Sequence, residues 1–105
     1  MSFIRGHEPA EHIYVKNIVK ETFHKVGWIV GEEVVLPNGK RIDIIAIKND
    51  QIIMVEVSTT NRHRKDRLQT LVKYGKPCFV TYESGKTPER SMVESQVKNI
   101  LERVE

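Results

Sequence analysis

The stretch IMVEVSTTNRHRK, residues 53–65, joins the most apolar part of the chain to its most basic part. Its first half, from Ile53 to Val57, has the apolar and β-branched residues of a buried strand, although Glu56 lies within it. The second half is a run of basic side chains. A buried carboxylate needs a compensating partner, so the surroundings of Glu56 decide how this stretch folds and what it does.

The length of 105 residues is that of a single domain, residues 1–105. A hydrophobic content of 39% and a charged content of 30% are typical of globular proteins and exclude a disordered chain. No apolar run approaches the roughly 18 residues of a membrane span, so we expect no membrane partner. The segment MSFIRGHEPAEH lacks the apolar region of a signal peptide, which predicts an intracellular, cytoplasmic protein. A lone cysteine, Cys78, excludes an internal disulfide.

The charge is concentrated in one segment. The whole chain carries +3, but residues 58–76 hold six Lys and Arg residues against one acid, a charge of +5 that leaves −2 for the remainder. A basic segment on a nearly neutral body indicates a polyanionic partner. The alternative is a solvated helix face without a partner.

The order of the elements follows from periodicity and from turn residues. An apolar stripe predicts a first helix over residues 9–26, and strands are expected over residues 28–37, 41–48 and 51–59. A second helix over residues 61–74 should end at Gly75, a fourth strand covers residues 77–83, and a third helix follows Thr87 and Pro88. The predicted order is αβββαβα, an α/β fold with a mixed central sheet flanked by helices.

The Asn49–Asp50 turn sets the register of the second and third strands. As a two-residue hairpin it places Lys48 opposite Gln51 and, continuing outward, Asp43 opposite Glu56. Directly opposed side chains share a face, with Cβ atoms about 4.5–5.5 Å apart, so two acids would meet there. A shared proton, a basic side chain or a divalent cation could compensate this repulsion. A shift of one residue would place the acids on opposite faces.

The aspartate on the second strand, the acid-led triplet on the third and the flanking helices resemble the PD-(D/E)xK nuclease superfamily. The αβββαβ core of this restriction-endonuclease-like fold matches the predicted order over about residues 8–83, and the third helix would be an addition. The branches that look most similar are archaeal Holliday-junction resolvases and small RecB-like archaeal or viral nucleases. The resemblance implies a metal-dependent DNA endonuclease that recognises structure more than sequence.

The resemblance assigns roles to individual positions. Asp43 and Glu56 match the acids that bind Mg²⁺ (or Mn²⁺) in the family, and Val57 matches the position whose main-chain carbonyl assists. The third position of the triplet should be lysine, which helps to activate water and stabilises developing charge, but Ser58 stands there. In the hairpin register Arg41 lies opposite Ser58 and could supply the missing charge. Basic residues at the start of the next helix, Arg62, Arg64 and Lys65, could also reach inward. Alternatively, catalysis has been lost and a binding scaffold remains.

Many members add a glutamate from the first helix. Glu11 continues the core-facing stripe of that helix and is the first candidate, Glu8 is the weaker one, and a favourable charge at the helix N-terminus is the alternative explanation of Glu11. Glu32 and Glu33 are further candidates. A two-residue turn at Asn38–Gly39 would place Glu32 on the face of Asp43.

The predicted second helix begins with the basic run and should bind the phosphate backbone of a nucleic acid. Gln69 together with Tyr74 resembles a pair found in RecB-like members, although one extra residue separates them here. We expect recognition to rely mainly on backbone contacts. The candidate nucleic-acid-binding residues are Arg62, His63, Arg64, Lys65, Arg67, Gln69 and Lys73.

Two other functions compete with the nuclease. One is a catalytically inactive nuclease-fold protein that binds nucleic acid, which the Ser58 substitution favours. The other is a dimeric interaction protein that uses the strongly apolar third helix as its contact surface. A homodimer is compatible with all of these functions and is implied by the resemblance if the substrate is a two-fold junction.

Overall fold

A computed structural model of the protein describes residues 8–59 and 71–104. The first helix, α1, spans Ala10–Lys25, with Pro9 in the N-cap position directly before it. It ends where Gly27 adopts φ 94°, a left-handed conformation that glycine accepts readily, and the Trp28 N–H donates to the Phe23 carbonyl at 3.1 Å. The helix predicted over residues 9–26 is therefore confirmed.

Four strands form one sheet in the order β1-β2-β3-β4. The strands are β1 (Ile29–Val35), β2 (Arg41–Lys48), β3 (Gln51–Thr59) and β4 (Lys76–Tyr82). β2 runs antiparallel to both β1 and β3, whereas β4 runs parallel to β3. The last helix, α2, spans Arg90–Val104. The prediction of a mixed sheet in an α/β fold, with a helix before and after it, is confirmed.

The predicted second helix falls mostly outside the described residues. Of residues 61–74 the structure describes only 71–74, where the Tyr74 N–H donates to the Leu71 carbonyl at 2.9 Å in a turn. Parallel pairing of β3 and β4 requires a crossover connection, which the segment between them provides.

Both described helices pack on the same face of the sheet. Their apolar side chains join residues of β2, β3 and β4 in the main core, including Val15 and Phe23 from α1. The apolar face of α2 lies in this core, since Val93, Val97 and Ile100 are buried there. The proposed use of that face as a dimer surface is therefore wrong, because the chain itself covers it.

The opposite face of the sheet carries a smaller core. It consists of Leu36, Ile42, Met54 and Leu71, with Ile45 and Tyr74 packed against it. Leu71, shortly before β4, is fully buried in this smaller core. None of the described helices is long and apolar enough to span a membrane.

The two hairpins differ in their turns. The β2–β3 register is the predicted one, from the Lys48–Gln51 pair to the Ile44–Val55 pair. The β1–β2 turn has three residues rather than two, since the Leu36 N–H donates to the Lys40 carbonyl at 2.7 Å across residues 37–39. This longer loop shifts the predicted register by one residue.

Candidate functional site

The two predicted acids meet where the β2–β3 ladder ends. The Asp43 N–H donates to Glu56 Oε1 at 3.2 Å, and the Val57 N–H donates to Asp43 Oδ2 at 2.8 Å. Main-chain pairing ends at the Ile44–Val55 pair. Beyond it, side-chain oxygens instead of main-chain carbonyls accept hydrogen bonds from the main-chain N–H groups. The strand changes its packing at the same point, because Ile44 lies in the main core and Ile42 in the smaller one. We call Asp43 and Glu56 the carboxylate pair.

Asp43 is ionised at neutral pH despite its surroundings. Burial by itself raises the pKa of Asp43, but contacts with His12 and the Val57 N–H, together with the charges of His12 and Lys16, bring that pKa below its usual value. His12 Nε2 lies 3.7 Å from Asp43 Oδ1, too far for a hydrogen bond, so the Val57 N–H is the firmer partner. The second acid of the pair, Glu56, is only 6% exposed.

A buried lysine from α1 lies beside the carboxylate pair. Lys16 is 3% exposed, and its Nζ lies 2.7 Å from Glu33 Oε2, 3.2 Å from Glu8 Oε2 and 3.5 Å from Glu32 Oε2. Burial lowers the pKa of Lys16, but Glu33 and Glu8 outweigh this and hold the pKa above its usual value. The ammonium group is therefore charged and links α1 to β1.

The β1 acids occupy positions that the sequence did not predict. With the three-residue turn, Glu32 pairs with Ile44, so Glu33, not Glu32, lies level with Asp43 on the neighbouring strand. Glu32 instead binds Lys20 at 2.5 Å, and this hydrogen bond lowers the pKa of Glu32. The register predicted for Glu32 is wrong by one residue, because it assumed a tighter turn, although Glu32 and Asp43 both reach side chains of α1.

The structure favours Glu8 over Glu11 as the N-terminal glutamate of the site, the opposite of the preference from the sequence. Glu8 Oε2 lies 3.3 Å from His12 Nε2 and contacts Lys16, so it belongs to the charged cluster around Asp43. Glu11 lies in the first turn of α1 and makes no ion pair with any residue in the described ranges. The weaker candidate from the sequence is thus the one that the fold brings to the site.

The remaining candidates divide into described and undescribed positions. The Ser58 hydroxyl is buried and has no hydrogen-bond partner within the described part of the chain. Arg41 is half-exposed and lies 3.6 Å from Glu33, while the β2–β3 ladder ends before it can pair with Ser58. Lys73 is exposed, with Nζ 5.2 Å from the ring centre of Tyr74. The other nucleic-acid-binding candidates, Arg62, His63, Arg64, Lys65, Arg67 and Gln69, lie outside the described residues.

The donor atoms of the carboxylate pair fit a hard divalent cation. The Val57 N–H points toward β2, and the N–H and C=O of one strand residue point the same way, so the Val57 carbonyl faces the gap between the strands. Two carboxylates and a carbonyl suit Mg²⁺, which keeps several water ligands and needs few from the protein. Within residues 8–59 and 71–104, three or more His, Cys, Asp or Glu side chains do not form a metal-holding group.

The carboxylate pair lies within a cluster of charged side chains from the segment before α1, from α1 and from β1 to β3. The carboxylates are Glu8, Glu32, Glu33, Asp43 and Glu56, and the cations are Lys16, Lys20 and Arg41.

The sequence contained one signal for this cluster that the apolar pattern concealed. His12, Lys16 and Lys20 recur at intervals of four and lie along one side of α1, and Glu8 precedes the helix at the same spacing. The apolar stripe accounts for the burial of that helix, and this ionisable stripe lies beside it. Together the two stripes predict a helix that contacts both a core and a charged site.

No protein-family model matches the chain, and a search of the curated proteins found no significant match. The resemblance to PD-(D/E)xK nucleases therefore rests on the residues and the order of the elements.

Proposed function

We propose that this protein is a metal-dependent DNA endonuclease of the PD-(D/E)xK type with a restriction-endonuclease-like core. The observation that carries the proposal is the carboxylate pair, in which Asp43 and Glu56 meet at the open end of the β2–β3 ladder. Two partly or fully buried acids so close together repel one another, and a cation site is a physical reason to keep both.

Asp43, Glu56 and the Val57 carbonyl would hold Mg²⁺ or Mn²⁺. A metal at such a site lowers the pKa of water and neutralises charge that develops at phosphorus. The protein keeps the Asp43 carboxylate ionised at neutral pH through the Val57 N–H and the nearby cations. Because both acids are tied to main-chain groups of neighbouring strands, their positions are set by the rigid sheet.

The proposed substrate is the phosphate backbone of DNA, with RNA as the other candidate. The strand that carries Glu56 leads directly into the basic segment 62–67, which therefore begins within a few residues of the carboxylate pair. Phosphate contacts by Lys and Arg hold a strand in place without reading its sequence. This arrangement supports cleavage that depends on the form of the nucleic acid.

The positive charge that the family takes from its lysine must come from another residue. Lys16 is enclosed by three glutamates and 3% exposed, so its ammonium group does not reach a substrate. Arg41 is half-exposed and lies two residues before Asp43 on β2, which makes it a candidate for this charge among the described residues. Since arginine stays protonated, its role would be to stabilise charge and not to act as a base.

The second candidate function is nucleic-acid binding without catalysis. It is favoured by Ser58, whose hydroxyl cannot supply the charge of a lysine and has no described hydrogen-bond partner. A homodimer on a two-fold substrate is compatible with either function. It would have to use a surface other than the apolar face of α2, which is buried within the chain.

The test is a cleavage assay on single-stranded, duplex, flapped and four-way-junction DNA with Mg²⁺, Mn²⁺ or a chelator. Wild type and Asp43→Asn are compared with Asp50→Asn, a matched substitution at the far end of the same hairpin. If the protein is a nuclease, wild type and Asp50→Asn should cut DNA only when a metal ion is present, and Asp43→Asn should not cut it. Binding without cutting by the folded wild type would support the second function, and neither binding nor cutting would refute both.

A further inference from the structure

One residue of β1 has a backbone conformation that ordinary strands do not adopt. Glu33 has φ 55°, in the left-handed region that side chains other than Gly, Asn and Asp rarely occupy. Its neighbours remain in register, with Glu32 opposite Ile44 and Val34 opposite Ile42. The distortion is therefore confined to Glu33. Such strained residues persist where the surroundings hold them, and they concentrate at functional sites.

The distortion changes where the side chain points. Successive strand residues face opposite sides of a sheet, yet Glu32 and Glu33 both reach Lys16, at 3.5 Å and 2.7 Å. The left-handed conformation of Glu33 accounts for this, because it turns the Glu33 side chain toward α1. The buried ammonium of Lys16 then holds Glu33 Oε2, and Glu8 holds Lys16 from the other side at 3.2 Å.

The second carboxylate oxygen of Glu33 lies within ion-pair distance of Arg41. Glu33 Oε1 lies 3.6 Å from Arg41 Nη1, an ion-pair distance rather than a hydrogen bond. The Arg41 side chain is 49% exposed and the Glu33 side chain is 29% exposed. Glu33 thus has one oxygen fixed to a buried cation and the other directed at an exposed guanidinium.

The position of Arg41 relative to the carboxylate pair gives this contact a use. Arg41 lies two residues before Asp43, about 7 Å along β2 and on the same side of the strand. A guanidinium at that separation can contact a phosphate next to the one held at the carboxylate pair, and its planar fork suits phosphate oxygens. An arginine whose side chain is already oriented loses less conformational entropy on binding than one whose side chain is unrestrained.

We propose that Glu33 is a positioning residue that orients Arg41 toward a backbone phosphate of the substrate. This inference rests on the proposed function, and it assigns Glu33 no contact with the reacting atoms. The left-handed backbone and the Lys16 contact place the Glu33 carboxylate, and the carboxylate in turn restricts the guanidinium. Glu33 and Arg41 therefore act as one unit, and removing either should remove the same contribution.

The test is a double-mutant cycle with Glu33→Gly, Arg41→Gln and the combined variant. Glycine accepts the left-handed backbone, so Glu33→Gly removes the carboxylate without adding strain, and Glu33→Asn is a second variant that also tolerates this conformation. Glu32→Gln is the matched control, since Glu32 contacts Lys16 and Lys20 and makes no described contact with Arg41. The readouts are kcat and KM for cleavage, and the salt dependence of DNA binding without metal.

Glu33→Gly and Arg41→Gln are each expected to lower kcat/KM about tenfold. Each should also reduce the slope of log affinity against log salt by up to about one, with the combined variant no worse than Arg41→Gln. Glu32→Gln should leave the slope unchanged. A purely structural Glu33 would give additive losses and an unchanged slope in Glu33→Gly, and either result would overturn the inference.

The same experiment separates this inference from the proposed function. Wild-type cleavage that Asp43→Asn abolishes, combined with additive losses in the cycle, would overturn the role of Glu33 alone. A wild type that binds DNA but does not cut it would refute the nuclease, while the salt slopes would still decide whether Glu33 acts through Arg41. A wild type that neither binds nor cuts would refute both.

Discussion

Asp43 and Glu56 are joined through the main chain and not directly. The Asp43 N–H donates to Glu56 Oε1 at 3.2 Å, and Asp43 Oδ2 accepts at 2.8 Å from the N–H of the residue after Glu56. Each carboxylate thus completes the sheet at the place where main-chain pairing stops. Substitutions at these positions affect stability as well as chemistry, so useful variants must separate the two.

Two substitutions of Asp43 separate these effects. Asp43→Asn keeps an oxygen that can accept from the Val57 N–H but removes the negative charge, so cleavage should fall at least 100-fold while this hydrogen bond is retained. Asp43→Ala leaves that N–H without its acceptor and should lower the free energy of unfolding by a further 1–3 kcal/mol, roughly. Metal-dependent cleavage and urea unfolding measure the two effects. Equal stability of the two variants would contradict the hydrogen bond to Val57.

The stability of the fold should depend on pH through Asp43. Its folded-state pKa lies below the usual value, so its ionised form stabilises the protein above the ordinary aspartate pKa of about 3.9. That contribution is lost as the pH falls through the folded-state pKa. The difference in unfolding free energy between wild type and Asp43→Asn should therefore shrink below about pH 4. A difference that stays constant from pH 7 to pH 3 would contradict this assignment.

Lys16 should matter for stability more than any exposed lysine. Lys16→Met leaves three neighbouring glutamates without their shared cation and should lower the free energy of unfolding by about 2–3 kcal/mol at neutral pH. Because the folded-state pKa of Lys16 lies above its usual value, the loss should become smaller as the pH rises through that pKa. Lys86→Met, at an exposed pair with Glu83, is the control and should change stability by less than about 0.5 kcal/mol. Equal effects of the two substitutions would contradict the buried network.

The two N-terminal glutamates should differ in function. Glu8→Gln removes a carboxylate that contacts both His12 and Lys16, so it should weaken Mn²⁺ binding and cleavage about tenfold. Glu11→Gln should leave both unchanged, since Glu11 has no ion pair within the described residues. Titration of Mn²⁺ into each variant, followed by single-turnover cleavage, measures the difference. A larger loss in Glu11→Gln would restore the candidate that the sequence favoured.

Ser58 tests whether catalysis is limited by a missing charge. Ser58→Lys supplies the residue of the family motif and should raise the single-turnover cleavage rate if the wild type is a weak nuclease. Ser58→Ala removes a buried hydroxyl that has no described partner, so it should be neutral or slightly stabilising. Cleavage and thermal unfolding of the two variants are compared with wild type. Cleavage by Ser58→Lys from an inactive wild type would instead favour the binding-only function.

The sequence by itself determined the architecture. The Asn49–Asp50 turn and the alternation along β2 and β3 were sufficient for their register, because a one-residue slip would move every apolar side chain to the wrong face. The apolar stripe of α1 and its glycine stop were sufficient for that helix. The meeting of Asp43 and Glu56 followed from the same register.

Only the tertiary structure decided which charged residues join that pair. The length of the β1–β2 turn depends on local backbone geometry. The turn has one residue more than predicted, so Glu33 instead of Glu32 lies level with Asp43. The burial of Lys16 depends on how α1 crosses the edge of the sheet, which periodicity does not specify. Apolar patterns record which residues avoid water, whereas charge partners depend on distances between separate elements, and those distances exist only after packing.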